Sequence, residues 1–185
     1  LAYDDTPSTS RGPITMSDAL QDAVVAKQAA LRASPEHAQA TFHSSSCLHE
    51  GFRSDVRIRD HALVVDEPPQ LGGGDAGPNP IELVLGALGA CQEITYRAYA
   101  SALGIPLERV AVELEGDIDL RGFFGVDASV RAGFQRIRGR VHLESSAPPA
   151  ELERLKALVD RHCPVLDMLS TPVPVALELV TDRGP

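Results

Sequence analysis

The hydrophobic pattern changes period several times along the chain, and each change marks an element. Residues 17–32 follow a helical period. Ser17 is a candidate N-cap, alanines 19, 23, 26, 29 and 30 propagate the helix, and Leu20, Ala23, Val24 and Leu31 make a thin apolar stripe. A stripe that narrow suits a helix lying on a domain or partner surface. Ser34-Pro35 ends it. From residue 39 the pattern becomes that of strands. Residues 39–48 form one run. Residues 52–59 set Phe52, Val56 and Ile58 against Arg53, Arg57 and Arg59, and residues 62–65 return as a hairpin partner after a turn at Asp60-His61.

A glycine- and proline-rich loop, residues 68–80, then leads into the longest element, a helix over residues 80–103. Asn79 is its candidate cap, Pro80 fits the first turn, and Gly104 with Pro106 ends it. At 1.5 Å per residue it spans roughly 36 Å, enough to cross a domain whose radius of gyration is roughly 14 Å. Between Ile81 and Cys91 the only polar residue is Glu82, which predicts burial nearly all round. That apolar run is about half the ~20 residues a membrane span needs.

Period two resumes over 107–120 and, after a loop at 122–126, over 134–143, where Ile137, Val141 and Leu143 oppose Arg136, Arg138 and Arg140. Residues 148–161 read as an amphipathic helix with Leu152, Leu155, Leu158 and Val159 inward. Cys163-Pro164 opens a second short helix to residue 169, and residues 173–180 read as a closing strand. The order βββ–α–ββ–αα–β predicts an α+β fold.

Composition narrows the function. The 185 residues are 43% apolar, as in a globular protein, and a net charge of −9 argues against nucleic-acid or anionic-membrane partners. With no Trp, three Tyr and five Phe, a base-stacking platform is not expected. Three cysteines do not make a secreted disulfide framework, so a reducing, cytoplasmic setting is the expectation. Residues 1–15 read as an arm.

Two cysteines stand out. Cys91 lies on a helix face with Val84, Ala87, Leu88, Ile94, Thr95 and Ala98, which by composition alone reads first as a buried, inert core thiol. Cys163, before a helix-starting proline, is placed where free N–H groups and the helix dipole favour thiolate. They are 72 residues apart, so only the fold can join them. If it does, one can attack an electrophile and the other resolve it as a disulfide. A zinc site drawn from Cys47, His49, His162, Cys163 and either Cys91 or His43 is the competing use of these side chains, though the spacing fits no common zinc motif. Gly72-Gly73-Gly74 invites a phosphate-cradle reading but lacks the P-loop ending, and a plain connector is the simpler one.

Pro78-Asn79-Pro80-Ile81-Glu82-Leu83, the small residues ending Gly89-Ala90-Cys91, and the later His162-Cys163-Pro164-Val165 resemble the OsmC/Ohr superfamily of osmotically inducible and organic-hydroperoxide-resistance proteins. The likeness runs from about residue 47 to 180. Residues 1–38 fall outside it, giving an arm and helix (1–38) followed by an OsmC-like domain (39–185). The resemblance implies antiparallel sheets around a long buried helix in an intertwined homodimer. It also implies a thiol-dependent peroxidase needing no cofactor or metal, with a small-molecule peroxide as substrate and a thiol reductant, for which a dihydrolipoyl-type dithiol is the candidate. By carry-over Cys91 is the peroxidatic cysteine and Cys163 the resolving one, against the residue-level reading of Cys163 as the more acidic. A hairpin arginine completes such sites: Arg53 is the candidate and Arg57 the alternative. The family's acid stands ten positions before the cysteine. Here that position is Ile81, while Glu82 is nine before, about 900° of helix away and so facing elsewhere. Glu93 is expected to pair with Arg97. The displaced acid leaves room for a branch that binds a small lipid-like ligand or senses redox state without turnover.

Overall fold

A computed structural model describes residues 18–181. Its elements are α1 (Asp18–Ala33), β1 (Ser45–Leu48), β2 (Ser54–Ile58), β3 (His61–Val65), α2 (Pro80–Leu103), β4 (Arg109–Asp117), α3 (Leu120–Phe123), β5 (Arg136–Glu144), α4 (Pro149–His162) and α5 (Pro164–Ser170). Strands β1–β2–β3 form one antiparallel sheet and β4–β5 a second, so the fold is mixed α+β.

The central helix begins and ends where its sequence signals place it. The Asn79 side chain accepts from the Glu82 amide at 2.9 Å, and Glu82 Oε2 accepts from the Asn79 amide at 2.9 Å, a reciprocal capping box. Gly104 closes the other end in the left-handed conformation, φ 67°. The core lies on the second half of this helix. Tyr96 and Ala100 of α2 meet Leu155 and Val159 of α4, with Ile105 and Leu107 from the following turn. This is the apolar stripe the sequence pattern assigned to α4.

The first half of α2 departs from expectation. Leu88, Gly89 and Gln92 are buried, but Gly86, Ala87, Ala90 and Ile94 are exposed, Ile94 by 70%. One side of the helix has no cover among the described residues. Helix α1 rests on α2 of its own chain through a half-buried face of Gln21, Val24, Gln28 and Leu31. Ser17 and the arm at 1–15 lie outside the described residues.

Other boundaries shift for local reasons. The first strand is four residues long rather than ten, because β2 reaches back only from Arg57 to Ser54 against Ser45–Leu48. The β2–β3 turn is Arg59-Asp60, not Asp60-His61: Ile58 pairs with His61, and Arg59 takes the left-handed conformation at φ 55°. A single helical turn, α3, precedes the loop expected at 122–126, its Asp119 cap accepting from the Arg121 amide. The closing strand over 173–180 does not form. Val173, Val175, Leu177 and Leu179 are exposed by 50–93%, with no neighbouring strand to pair with among the described residues. Alternation was present; a partner backbone was not.

Among the described residues, the β1–β3 sheet packs extensively on no helix. Leu48, Phe52, Ile58 and Leu63 are all exposed. An alternating strand set with no layer against it leaves its apolar face in water.

Candidate functional site: two sulfurs at a helix junction

Helix α4 delivers Val159 into the core and then stops. Cys163 follows as both the last cap of α4 and the first cap of α5, its N–H donating to the Val159 carbonyl at 2.9 Å. Pro164, with no N–H to lose, starts the next helix and enforces the break. The Cys163 side chain is turned inward and fully buried, and its Sγ–H donates to Cys91 Sγ at 3.3 Å. Cys91 is half-buried near the middle of α2. The fold therefore brings together the two thiols that sequence could only pair by supposition.

The acidity argument for Cys163 fails. Burial foremost pushes its thiol up; the Leu166 amide opposes it, the neighbouring Cys91 sulfur adds to the rise, and the Val165 amide opposes it least. The cap position was right, but the side chain lies in a desolvated pocket where the neutral form wins. Cys163 is the buried, protonated partner and Cys91 the one open to solvent.

Around Cys91, Thr95 Oγ1 donates to the Cys91 carbonyl at 2.7 Å. Arg97 does not pair with Glu93; it donates to the carbonyls of Leu107 (2.6 Å) and Glu108 (3.5 Å), tying α2 to the start of β4. Glu82 is spent on the capping box, in keeping with its expected direction away from Cys91. Ile81 lines an open cavity of about 770 Å³ with Val84, Leu88, Val112 and Leu114, and the buried Gln92 amide faces it next to Cys91 in sequence.

Arg53 sits at the start of β2 and donates to Asp55 Oδ1 at 3.2 Å; His49 Nε2 lies 3.1 Å from the other oxygen of the same carboxylate. No hydrogen bond or ion pair joins Arg53, or the exposed Arg57, to either sulfur among the described residues. Cys47 is exposed on β1. The zinc set is not assembled: among the described residues, no three His, Cys, Asp or Glu side chains are grouped to hold a metal.

The glycine loop is filled from within. The buried carboxylate of Asp66 accepts from the amides of Glu67 (2.8 Å), Gly74 (3.1 Å) and Ala76 (3.1 Å). The Ala76 hydrogen bond foremost, with those of Glu67 and Gly74, holds it below the usual carboxylate range against the effect of burial. Gly73 and Gly77 run so close to the Glu67 and Val64 backbones that a β-carbon would overlap their carbonyls. The amides a phosphate would need are occupied by the protein's own anion. Sequence reasoning missed Asp66, although an acid at the mouth of a glycine-rich loop was a usable signal. It also missed Gln92 and the ring contact between Tyr99 and His162.

Among the described residues, no helix is long and apolar enough to cross a membrane. A family model described as OsmC-like protein matches residues 72–178. No curated protein sequence matches the chain. Solved structures match it closely in fold. An OsmC-like protein from Mycoplasma pneumoniae is 17% identical with a TM-score of 0.63, covering 72% of this chain and 90% of its own. An organic hydroperoxide resistance protein OsmC from Legionella pneumophila is 24% identical, with TM-score 0.55 and coverage of 72% and 93%. An organic hydroperoxide resistance protein from Elizabethkingia anophelis is 17% identical, with TM-score 0.54 and coverage of 72% and 91%.

Proposed function

The chain belongs to the OsmC-like protein family, and from that premise we propose that it is a thiol-dependent peroxidase acting on organic or hydrogen peroxide. The observation that carries the reading is the 3.3 Å approach of Cys91 and Cys163 across 72 residues of sequence. Cys91, the accessible sulfur, attacks the terminal peroxide oxygen as thiolate. The O–O bond breaks, the terminal hydroxyl passes to the sulfur to give the Cys91 sulfenic acid, and the departing alkoxide, or hydroxide from hydrogen peroxide, takes a proton from solvent and leaves as alcohol or water. Cys163 then attacks the Cys91 sulfur. The S–S bond forms, the S–O bond breaks, and the Cys163 proton leaves with the hydroxyl as water. A dithiol reductant of dihydrolipoyl type restores both thiols by exchange. Relatives whose names include organic hydroperoxide resistance support a peroxide-related role.

The working form in this proposal is an intertwined homodimer in the cytoplasm. Its support is the uncovered side of α2 at Gly86, Ala87, Ala90 and Ile94, the unlayered β1–β3 sheet, and the unpaired segment at 173–180. So much exposed apolar surface marks an interaction face. In that dimer Arg53 is the guanidinium offered to a cysteine pair, steadying thiolate and orienting the peroxide.

The test is oxidation with a slight excess of cumene hydroperoxide or hydrogen peroxide, followed by thiol counting and disulfide mapping. The expected result is loss of two thiols per chain, with Cys47 remaining, and no such loss in Cys91→Ser. Unchanged thiols would overturn the enzyme. A second reading, a ligand-binding or redox-sensing module, is favoured by one feature: Ile81, where the family resemblance implies an acid, lines a cavity whose wall sets Val84, Leu88, Val112 and Leu114 beside Arg136, Arg138 and Arg140. Unreacted thiols together with retained hydrophobic ligand would select it.

A further inference from the structure

We propose that Tyr99 and His162 are a positioning pair that sets the distance between the two sulfurs, and so the rate at which the disulfide closes. The inference rests on the closing step proposed above. His162 directly precedes Cys163. Its imidazole lies on the Tyr99 ring with centroids 5.2 Å apart and planes 16° apart, a parallel stack. Tyr99 is two helical turns beyond Cys91 on α2, about 12 Å along the axis. One ring is therefore rigidly connected to the attacking sulfur and the other is adjacent to the resolving one.

The need for such a contact comes from where the core ends. Leu155 and Val159 fix the body of α4 against Tyr96 and Ala100. Beyond Val159 the helix has three residues left. Asp160 pairs with Lys156 of its own helix and Arg161 is exposed. The ring stack carries this last turn across to α2 immediately before the contact between Cys163 and Cys91. Chain direction then changes at Cys163, a hinge between two helices, where small rotations of the last turn become displacements of the sulfur.

The sulfurs stand 3.3 Å apart, and a disulfide bond is about 2.04 Å, so closure needs an approach of roughly 1.3 Å along a defined line. Reactions held this close are steep in geometry: a misplacement of about 1 Å can cost about 100-fold. An offset ring pair is a modest restraint, so its loss is expected to slow closure by about ten-fold. Neither ring touches substrate or exchanges a proton in this scheme. Both act through Cys163.

The experiment uses the full-length protein and four variants: Tyr99→Leu, Tyr99→Phe, His162→Leu and His162→Phe. Sulfenic acid formation is timed by dimedone trapping in a Cys163→Ser background, and disulfide closure by thiol loss in the presence of Cys163. The Cys91–Cys163 pair is also equilibrated against reduced and oxidised glutathione, which reads the sulfur geometry without peroxide. The expected result is that both leucine variants close about ten-fold slower and hold the disulfide about three- to ten-fold less tightly against glutathione. Both phenylalanine variants stay within about two-fold of the parent, and sulfenic acid formation is unchanged in all four. Closure at the parent rate in both leucine variants overturns the proposal. So does equal loss in the phenylalanine variants, which would mean that the hydroxyl or imidazole acts chemically, and so does a matching slowdown of sulfenic acid formation. His162 is exposed, so His162→Leu keeps the test available where a change at Tyr99 disturbs folding. A parent protein that forms the disulfide with glutathione but ignores peroxide removes the peroxidase reading and leaves the pair to be judged in the glutathione arm. A parent that forms it in neither removes both.

Discussion

Closing the Cys91–Cys163 bond should make the protein markedly harder to unfold. The bond would cross-link two points 72 residues apart. In the chain-entropy account, a loop of that length removes about 15 cal/mol/K from the unfolded ensemble, or about 4 kcal/mol at 25 °C. An opposing term comes from the folded state. Bringing the sulfurs together by roughly 1.3 Å draws the α4–α5 junction toward α2, next to Val159 and Tyr96, which are fully packed. A net gain of about 2–4 kcal/mol is expected, which for a chain of this size is a rise of about 5–15 °C in melting temperature. The assay compares the protein oxidised with diamide, its Cys91–Cys163 linkage verified by peptide mapping, with the same protein kept reduced. Urea midpoints are measured alongside melting, at fixed protein concentration because association shifts both. Cys163→Ala should abolish the difference between oxidising and reducing conditions. A mapped disulfide that leaves stability unchanged or lowers it would refute the reasoning, because the sulfurs would then not be poised to join without distorting the fold.

Leu155→Ala removes a fully buried side chain from the contact between α4 and α2 and should cost about 3 kcal/mol, read as a lower urea midpoint. It should also slow disulfide closure, since α4 carries Cys163. Asp66 titrates below the ordinary carboxylate range, so its contribution is present above its unfolded pKa, about 4, and is lost as pH falls through its lower folded value. Asp66→Asn should remove that acid-side loss, and an unchanged acid denaturation profile would contradict it. Tyr96 is pushed up to about 12, chiefly by burial and secondarily by Asp160. The folded state keeps its proton longer than the unfolded chain, so stability should decline as pH rises from about 10 toward about 12, with Tyr96→Phe flattening that limb. A spectrophotometric tyrosine titration showing no late-ionising group would count against it. Arg53→Ala, if the dimer proposal holds, should slow oxidation of Cys91 without changing closure, and equal rates of oxidation would remove Arg53 from the site.

How much of this was legible beforehand depended on how local each cause is. The limits of α2 were readable because Asn79, Pro80 and Gly104 act within one turn of themselves. The inward face of α4 was readable because a 3.6-residue period needs no knowledge of what it packs on. The position of Cys163 at a helix start was equally local, but its acidity was not. Charge on a thiol is set by every group within several ångströms; the Leu166 and Val165 amides are local, but the packing that buries the sulfur and the Cys91 sulfur depend on α2, a long way off in sequence. The same distinction explains Arg97, whose nearest partner by helical spacing, Glu93, lost to two carbonyls at the start of β4. It also explains the glycine loop, where Asp66 took the amides that a phosphate reading would have used.

The strand over residues 173–180 is the instructive failure, because the pattern there is as regular as in β5, which does form. Strand β5 has β4 beside it in exact register from Arg109–Glu144 to Asp117–Arg136. The last segment has the same alternation and, among the described residues, no backbone to bond to. Helical residues satisfy their own N–H and C=O groups, whereas a strand's are satisfied by another strand. Periodicity in sequence therefore reports which residues would share a face and is silent on what supplies the other half of the ladder. If a second copy supplies it, amide hydrogen exchange in residues 173–180 should be slow in the concentrated protein and should accelerate on dilution below the dissociation constant, in step with exposure of Ile94. Fast exchange at every concentration would show that the segment stays unpaired, and the apolar side of α2 would then need some other cover.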